Sequence, residues 1–159
     1  MQPTAAPTGA IARKDEGAQR SQPAFSWPTR VYWEDTDAGG VVYHAQYVAF
    51  LERARTEWMR ALGYGQELLR ESHDLVFAIR AVDIAYLRPA RLDDMLHVTV
   101  ALAQCGRASA VFSQQVLRGN EVLVTAHVRA AALGGGDFRP RAIPEPLYRV
   151  LKPLELRRS

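Results

Sequence analysis

A single long amphipathic helix followed by a series of strand-like segments is the feature that most restricts the fold of this chain. Apolar or small residues recur at spacings of four, three, four and three, at Tyr47, Leu51, Ala54, Trp58 and Ala61. This spacing places them on one face of a helix, and Gly63 is typical of a residue just beyond a helix end. We therefore expect a helix from about His44 to Leu62.

The segments after this helix alternate apolar and polar residues, as half-buried strands do. The alternation is regular at 96–102 and 122–128, and a less regular strand is expected at 108–117. In the segment 76–87 the two-residue period slips near Ala81, and a β-bulge would explain the slip.

The remaining elements complete an α+β pattern. We expect a first strand from about Thr29 to Glu34, a short second helix from Gln66 to Glu71 and a last helical turn from Pro146 to Leu151. The triplet Arg118-Gly119-Asn120 predicts a hairpin turn. Four successive strands without intervening helices predict an antiparallel sheet wrapped on one long helix.

The length of 159 residues is that of one domain. Residues 1–24 mix Pro, Ala, Gly and balanced charges without periodicity, which predicts a disordered N-terminal tail. We assign residues 25–152 to the folded domain and 153–159 to a flexible C-terminal tail.

Several classes of protein are disfavoured by composition. The net charge of +3 is spread along the chain, so a nucleic-acid partner is not expected. The single cysteine, Cys105, excludes an intramolecular disulfide and a thiolate metal cluster within one chain. There is no apolar run of about 18 residues for a transmembrane segment, and the N-terminus does not resemble a secretory signal. We expect a cytoplasmic protein.

The stretch "EDTDAGGVVYHAQY", residues 34–47, places three carboxylates before a Gly39-Gly40 turn and the predicted helix. An aspartate ionised at neutral pH can act as a nucleophile or as a general base. No Ser, Thr, Asp or Asn immediately precedes the helix, so its first N–H groups need another partner. Such donors stabilise an oxyanion. The stretch thus contains both halves of an acyl-transfer site, although a solvated acidic turn is the alternative interpretation.

Two segments carry a resemblance to a known family: "WPTRVYWEDTDAGGVVYHAQYVAFLERARTEWMRALG" and "AYLRPARLDDML". From about Phe25 to Pro140 the sequence resembles the hotdog-fold acyl-CoA thioesterases of the hydroxybenzoyl-CoA thioesterase type, and among them the Tol-Pal-associated group. The resemblance implies a five-stranded antiparallel sheet around a central helix. It also implies that protomers pair their sheets to form a homodimer or homotetramer.

The resemblance assigns roles to residues of the acidic stretch. Asp37, the second aspartate of the D-T-D element, would be the catalytic carboxylate, either attacking directly through a mixed anhydride or activating water as a general base. The backbone N–H near His44 would polarise the thioester carbonyl, with Val42 and Tyr43 as further oxyanion or substrate-positioning residues. Glu34 and Asp35 are expected to hydrogen-bond the turn or to set the local field.

Some related hotdog enzymes instead place the catalytic carboxylate within the central helix, where Glu52 and Glu57 stand here. Each glutamate lies three residues before an arginine, Arg55 or Arg60, a spacing that favours ion pairs on a helix. We favour the ion pairs. Trp58 lies on the apolar stripe and is expected in the core.

Arg88 and Arg91 are candidates for contacts with the phosphates of coenzyme A, because arginine suits phosphate recognition. Ion pairing with Asp93 or Asp94 is the alternative for these arginines. The resemblance implies no metal and no redox cofactor, since coenzyme A is part of the substrate and a product.

The resemblance therefore predicts an acyl-CoA thioesterase that releases a free acid and coenzyme A. The alternative is a binding or scaffold protein for acyl carrier protein, or for the envelope and phospholipid machinery, with weak hydrolase activity. Acyl carrier protein is an expected partner, and a peripheral location at the inner face of the cell membrane is a further expectation. The preferred acyl group is left open.

Overall fold

The computed structural model describes residues 25–158, so the tail predicted at 1–24 lies outside the described residues. The helices are α1 (Gln46–Ala61), α2 (Gln66–His73) and α3 (Glu145–Leu151). The strands are β1 (Phe25–Arg30), β2 (Leu75–Tyr86), β3 (Met95–Cys105), β4 (Ser109–Arg118) and β5 (Glu121–Gly134).

The five strands form one sheet in the order β1-β3-β4-β5-β2, and every neighbouring pair is antiparallel. The long helix α1 packs against one face of this sheet. This arrangement confirms the predicted α+β hotdog fold. None of the helices in the described part of the chain is long and apolar enough to cross a membrane.

The apolar stripe of α1 is buried against the sheet except at its last residue, Ala61, which is exposed. Phe50, Leu51 and Ala54 are fully buried. The Trp58 ring meets the Phe112 ring of β4 edge to face, with their centroids 5.6 Å apart, a favoured geometry for an aromatic pair. The predicted place of Trp58 in the core is confirmed.

A buried glutamine joins α1 to the centre of the sheet. The side-chain amide of Gln114 donates to the carbonyl oxygen of Leu51 at 3.1 Å and to that of Thr99 at 3.2 Å. Its Oε1 accepts a hydrogen bond from the Arg55 guanidinium at 2.9 Å. One side chain in β4 thereby links α1, β3 and β4.

The two ion pairs predicted on α1 have different outcomes. Glu57 and Arg60 do form one, as predicted. The pair of Glu52 with Arg55 is wrong, because Arg55 turns inward to Gln114 and within residues 25–158 no carboxylate forms an ion pair with it.

Most predicted boundaries agree with the structure to within a few residues. The register of β2 shifts between Ile79 and Ala81, which confirms the expected bulge. Gly63 and Gly119 have φ of +86° and +60°, so each takes the left-handed conformation that a helix end and a tight hairpin require.

The first strand was predicted too far along the chain. It ends at Arg30, and Trp33–Asp35 form a short 3-10 turn. The reason is the buried Asp35, whose carboxylate accepts the Tyr32 N–H at 2.8 Å and bends the chain.

The C-terminal segment predicted as a flexible tail from residue 153 contacts the sheet through its first four residues. Lys152–Leu154 form a 3-10 turn, and the Leu156 N–H donates to the carbonyl oxygen of Leu102 at 2.8 Å. The Glu155 carboxylate accepts the Cys105 N–H at 2.8 Å. These contacts fasten the segment to β3.

We predict that Gln114→Ala lowers the free energy of unfolding by about 2–3 kcal/mol, because it strips partners from buried polar groups on α1 and β3. The control is Gln115→Ala, in which the changed side chain is exposed and an effect within about 0.5 kcal/mol is expected. Urea denaturation of the two variants measures the difference. Equal stabilities would contradict the bridging role of Gln114.

Candidate active site

The acidic stretch folds into a tight loop between β1 and α1. Thr36 and Val42 face each other as an isolated bridge, and the Asp37 N–H donates to the carbonyl oxygen of Val41 at 2.9 Å. Gly40 closes the turn by donating its N–H to the carbonyl oxygen of Asp37 at 3.0 Å, and its φ of +77° is one that glycine adopts readily. The backbone of Asp37 is therefore held on both sides.

The Asp37 carboxylate is exposed but oriented. Its Oδ1 accepts the Gly39 N–H at 2.8 Å, while in the described chain Oδ2 has no hydrogen-bond donor. A Cβ atom at position 39 would lie 3.0 Å from Asp37 Oδ1, closer than most real Cβ contacts. The absence of a side chain at Gly39 thus leaves space for the Asp37 carboxylate to accept the Gly39 N–H.

The start of α1 lies a few residues further along the chain. Ala45 is its N-cap residue and supplies no side-chain cap. Two of the three predicted donors are already engaged: the Val42 N–H donates to the carbonyl oxygen of Ala90, and the Tyr43 N–H to that of Asp35, each at 2.9 Å. Within residues 25–158 the His44 N–H has no acceptor. Of the three residues predicted to supply donors, His44 is therefore the one whose backbone N–H is free within this range.

An open N–H at a helix start attracts negative charge, because the donor and the aligned peptide dipoles act together. His44 is exposed and lines a cleft beside the helix start. A donor of this kind stabilises an oxygen that gains negative charge during a reaction.

Two tyrosines that the sequence analysis did not assign to the site hold this helix start in place. The Tyr86 hydroxyl donates to the carbonyl oxygen of His44 at 2.9 Å, and the Tyr47 hydroxyl accepts the Ala90 N–H at 3.0 Å. Burial raises the pKa of Tyr47 above its ordinary value. The sequence feature that could have identified Tyr86 is its position at the end of β2, in the segment "AYLRPARLDDML".

A cleft of about 280 Å³ lies beside the helix start. It is lined by Val42, His44, Tyr47, Tyr86, Leu87, Arg88 and Pro89. Tyr43, predicted as an oxyanion or substrate-positioning residue, is not among these residues: its side chain is exposed, and its ring centroid lies 4.5 Å from that of His44. Asp37 is also outside the lining.

The segment with the two candidate phosphate ligands lies against the loop that carries Asp37. Arg91 faces Val41 in an isolated bridge, and Arg88 contributes to the cleft wall. Arg88 Nε lies 3.5 Å from a carboxylate oxygen of Glu121, at the exposed surface. Arg91 thus lies beside the loop that carries Asp37 and Arg88 beside the cleft, and their contact with phosphates stays a prediction.

The alternative pairing of these arginines with Asp94 is wrong for their side chains. Asp94 pairs with Arg118 at 2.7 Å and accepts the backbone N–H of Arg91 at 2.9 Å. Burial would raise the pKa of Asp94, but the hydrogen bonds from Arg91 and Arg118 outweigh it and hold the pKa below its ordinary value. Asp94 fastens this loop to the sheet.

The two other acids of the stretch differ from Asp37. Asp35 is buried and supports the turn through Tyr32 and Tyr43. Glu34 is exposed. Within residues 25–158 no group of three or more His, Cys, Asp or Glu side chains is arranged to hold a metal ion.

Comparisons with known proteins identify the family of this chain. A family model of the Thioesterase-like superfamily matches residues 31–151. The acyl-CoA thioesterase YbgC of Haemophilus influenzae is 44% identical over 121 residues, which cover 76% of this chain and 89% of that protein. The acyl-CoA thioester hydrolase YbgC of Escherichia coli is 43% identical over 129 residues, covering 80% of this chain and 96% of that protein.

Solved structures share the fold. A probable thioesterase from Bartonella henselae, 36% identical, superposes with a TM-score of 0.72 over 75% of this chain and 98% of that one. A 1,4-dihydroxy-2-naphthoyl-CoA thioesterase from Synechocystis is only 20% identical, yet it has a TM-score of 0.75 over 82% of this chain and 97% of that one. With the family match spanning the loop, the central helix and four of the five strands, the chain belongs to the thioesterase-like superfamily.

Proposed function

We propose that this protein hydrolyses acyl-CoA thioesters to a free acid and coenzyme A, with Asp37 as its catalytic carboxylate. The observation that carries the proposal is the position of an oriented, exposed Asp37 in the loop that leads into the open helix start at His44. The names of the Haemophilus influenzae and Escherichia coli relatives support acyl-CoA as the substrate class.

The chemistry follows from two groups acting on one carbonyl. The His44 N–H receives the carbonyl oxygen and stabilises the negative charge that develops on it. Asp37 then works in one of two ways. As a nucleophile, its Oδ2 bonds to the carbonyl carbon, the C–S bond breaks, the thiolate of coenzyme A leaves, and water hydrolyses the mixed anhydride. As a general base, it takes a proton from a water whose oxygen bonds to that carbon while the C–S bond breaks.

The arginine-bearing segment is the proposed site for the phosphates of coenzyme A. Arg91 lies beside the Gly39-Gly40 side of the loop through its bridge with Val41, and its guanidinium forms no ion pair within the described chain. Arg88 forms an ion pair with Glu121, and this pair would have to break before Arg88 could bind a phosphate.

We further propose that two copies pair through β2. This strand is at an edge of the sheet, and Ile79, Val82 and Tyr86 are 46%, 39% and 49% exposed. A long apolar edge strand left open invites pairing with another chain, and a second copy with twofold symmetry would cover it. A tetramer would require a second contact between such dimers.

The resemblance also supports four more specific proposals. These are membership of the hydroxybenzoyl-CoA thioesterase type, membership of its Tol-Pal-associated group, acyl carrier protein as a partner, and a location at the inner face of the membrane. The scaffold alternative is tested by the same experiments, because a scaffold would bind its partners without depending on Asp37.

We predict that Asp37→Asn lowers kcat by on the order of 100-fold or more, because an amide neither attacks the carbonyl nor accepts a proton from water. Its remaining oxygen can still accept the Gly39 N–H, so the loop should keep its shape. Thiol release from acyl-CoA measures the rate. Glu34→Gln, which neutralises a neighbouring exposed acid, is the matched control and should retain full turnover. An Asp37→Asn protein with wild-type kcat would refute the assignment.

We predict that Gly39→Ala lowers kcat by roughly 10- to 100-fold, because the new Cβ displaces the Asp37 carboxylate and small displacements of a reacting group are costly. Ala38→Ser, at the adjacent exposed position, should leave kcat within about twofold of the wild type. Thermal unfolding of both variants checks that the loop alone has changed. Unaltered kcat in Gly39→Ala would show that the turn does not position the carboxylate.

We predict that Val82→Lys weakens self-association at least tenfold, because pairing through β2 would bury the new ammonium group. Light scattering coupled to gel filtration over a dilution series measures the mass. Gln115→Lys, which adds the same charge at an exposed position on β4, should leave the mass unchanged. A Val82→Lys protein with the wild-type mass at every concentration would exclude β2 as the contact.

A further inference from the structure

A network of ion pairs fastens the arginine-bearing segment to the hairpin between β4 and β5. The Arg118 guanidinium lies 2.7 Å from the Asp94 carboxylate and 3.1 Å from that of Glu121. Arg118 also donates to the carbonyl oxygen of Pro89 at 3.3 Å. Because Pro89 lines the cleft beside His44, this network holds part of the cleft wall in place.

Glu121 divides its carboxylate between two arginines. One oxygen accepts a hydrogen bond from Arg118, and the other lies 3.5 Å from Arg88 Nε. Arg118 is partly buried and has two carboxylate partners. The Arg88 side chain is 67% exposed, and Glu121 is its one ion-pair partner within residues 25–158. Arg88 is therefore the member that can turn away, while Arg118 continues to hold Glu121.

The net charge of the network depends on the position of Arg88. With Arg88 paired, two arginines face the carboxylates of Asp94 and Glu121, and the formal charges cancel. When Arg88 turns toward a ligand, Arg118 alone faces both carboxylates, and one net negative charge is left beside the cleft. An anion that takes Arg88 is thus repelled by the carboxylate that it has displaced.

We propose that Glu121 competes with the phosphates of coenzyme A for Arg88 and so weakens the binding of the nucleotide part of substrate and product. The inference rests on the proposed function and adds a residue that regulates that site. Carboxylates and phosphates both bind a guanidinium through charge-assisted hydrogen bonds, so one can replace the other without leaving Arg88 unpaired. Coenzyme A keeps its phosphates after the thioester is cleaved, so the same competition promotes its release.

The test is isothermal titration of coenzyme A into the wild type and into Glu121→Gln. The glutamine can still accept the hydrogen bond from Arg118, so the hairpin should keep its shape while the competing charge is removed. The Kd of coenzyme A should fall by about three- to tenfold. This gain should shrink as salt is added, because the groups involved are exposed. An unchanged or higher Kd in Glu121→Gln would overturn the proposal.

Two further variants assign the effect to Arg88. In an Arg88→Gln background, Glu121→Gln should change the Kd by less than about twofold, because no cation there draws a phosphate toward residue 121. Glu67→Gln neutralises an acid that lies 3.8 Å from Arg70 on α2, outside the cleft lining, and should bind coenzyme A as the wild type does. An equal gain in both backgrounds, or a similar gain from Glu67→Gln, would overturn the proposal by showing a general charge effect.

Thiol release from acyl-CoA by the same proteins separates this inference from the hydrolytic proposal. Turnover by the wild type with an unchanged Kd in Glu121→Gln would refute the role of Glu121 and leave hydrolysis standing. No turnover, together with the expected fall in Kd, would refute the proposed function and leave the role of Glu121 standing. If both hold, free coenzyme A should inhibit Glu121→Gln more strongly than the wild type, by the same factor as the fall in Kd. A wild type that does not bind coenzyme A would overturn the inference.

Discussion

The docking of α1 on the inner face of the sheet is the constraint on which the other features depend. Its apolar stripe excludes water from the core, while Gln114 ties the middle of the helix to β3 and β4 through hydrogen bonds that water cannot replace. A helix fixed along its length also has a fixed beginning. The loop that carries Asp37 runs directly into that beginning and is held there by its bonds to Asp35 and Ala90.

The start and the middle of this helix have different electrostatic environments. At the start, an unpaired N–H and the helix dipole favour an oxygen that becomes negative during a reaction, with a carboxylate in the adjoining loop. Further along, Arg55 donates to the uncharged Gln114 and lines an apolar cleft. The packing of the helix on the sheet thus determines which of its polar groups stay open.

Sequence reasoning was most reliable where a pattern is local. The stripe of α1, the slip in β2 and the Gly119 hairpin all follow from spacing and backbone conformation within one segment. Sequence reasoning failed where the hydrogen-bond partner of a residue is distant in the sequence. Arg55 was paired with a neighbour one turn away, whereas its partner is Gln114, 59 residues further along the chain. The open N–H at His44 likewise could not be distinguished from those of Val42 and Tyr43, because their acceptors are set by how the loop packs against other segments.

The most direct test of the account is a crystal structure of Asp37→Asn with an acyl-CoA analogue in which a ketone replaces the thioester. The account predicts that the ketone oxygen lies about 3 Å from the His44 backbone nitrogen, with the side chain of residue 37 against the carbonyl carbon. An acyl carbonyl bound away from the start of α1, with residue 37 in solvent, would contradict it.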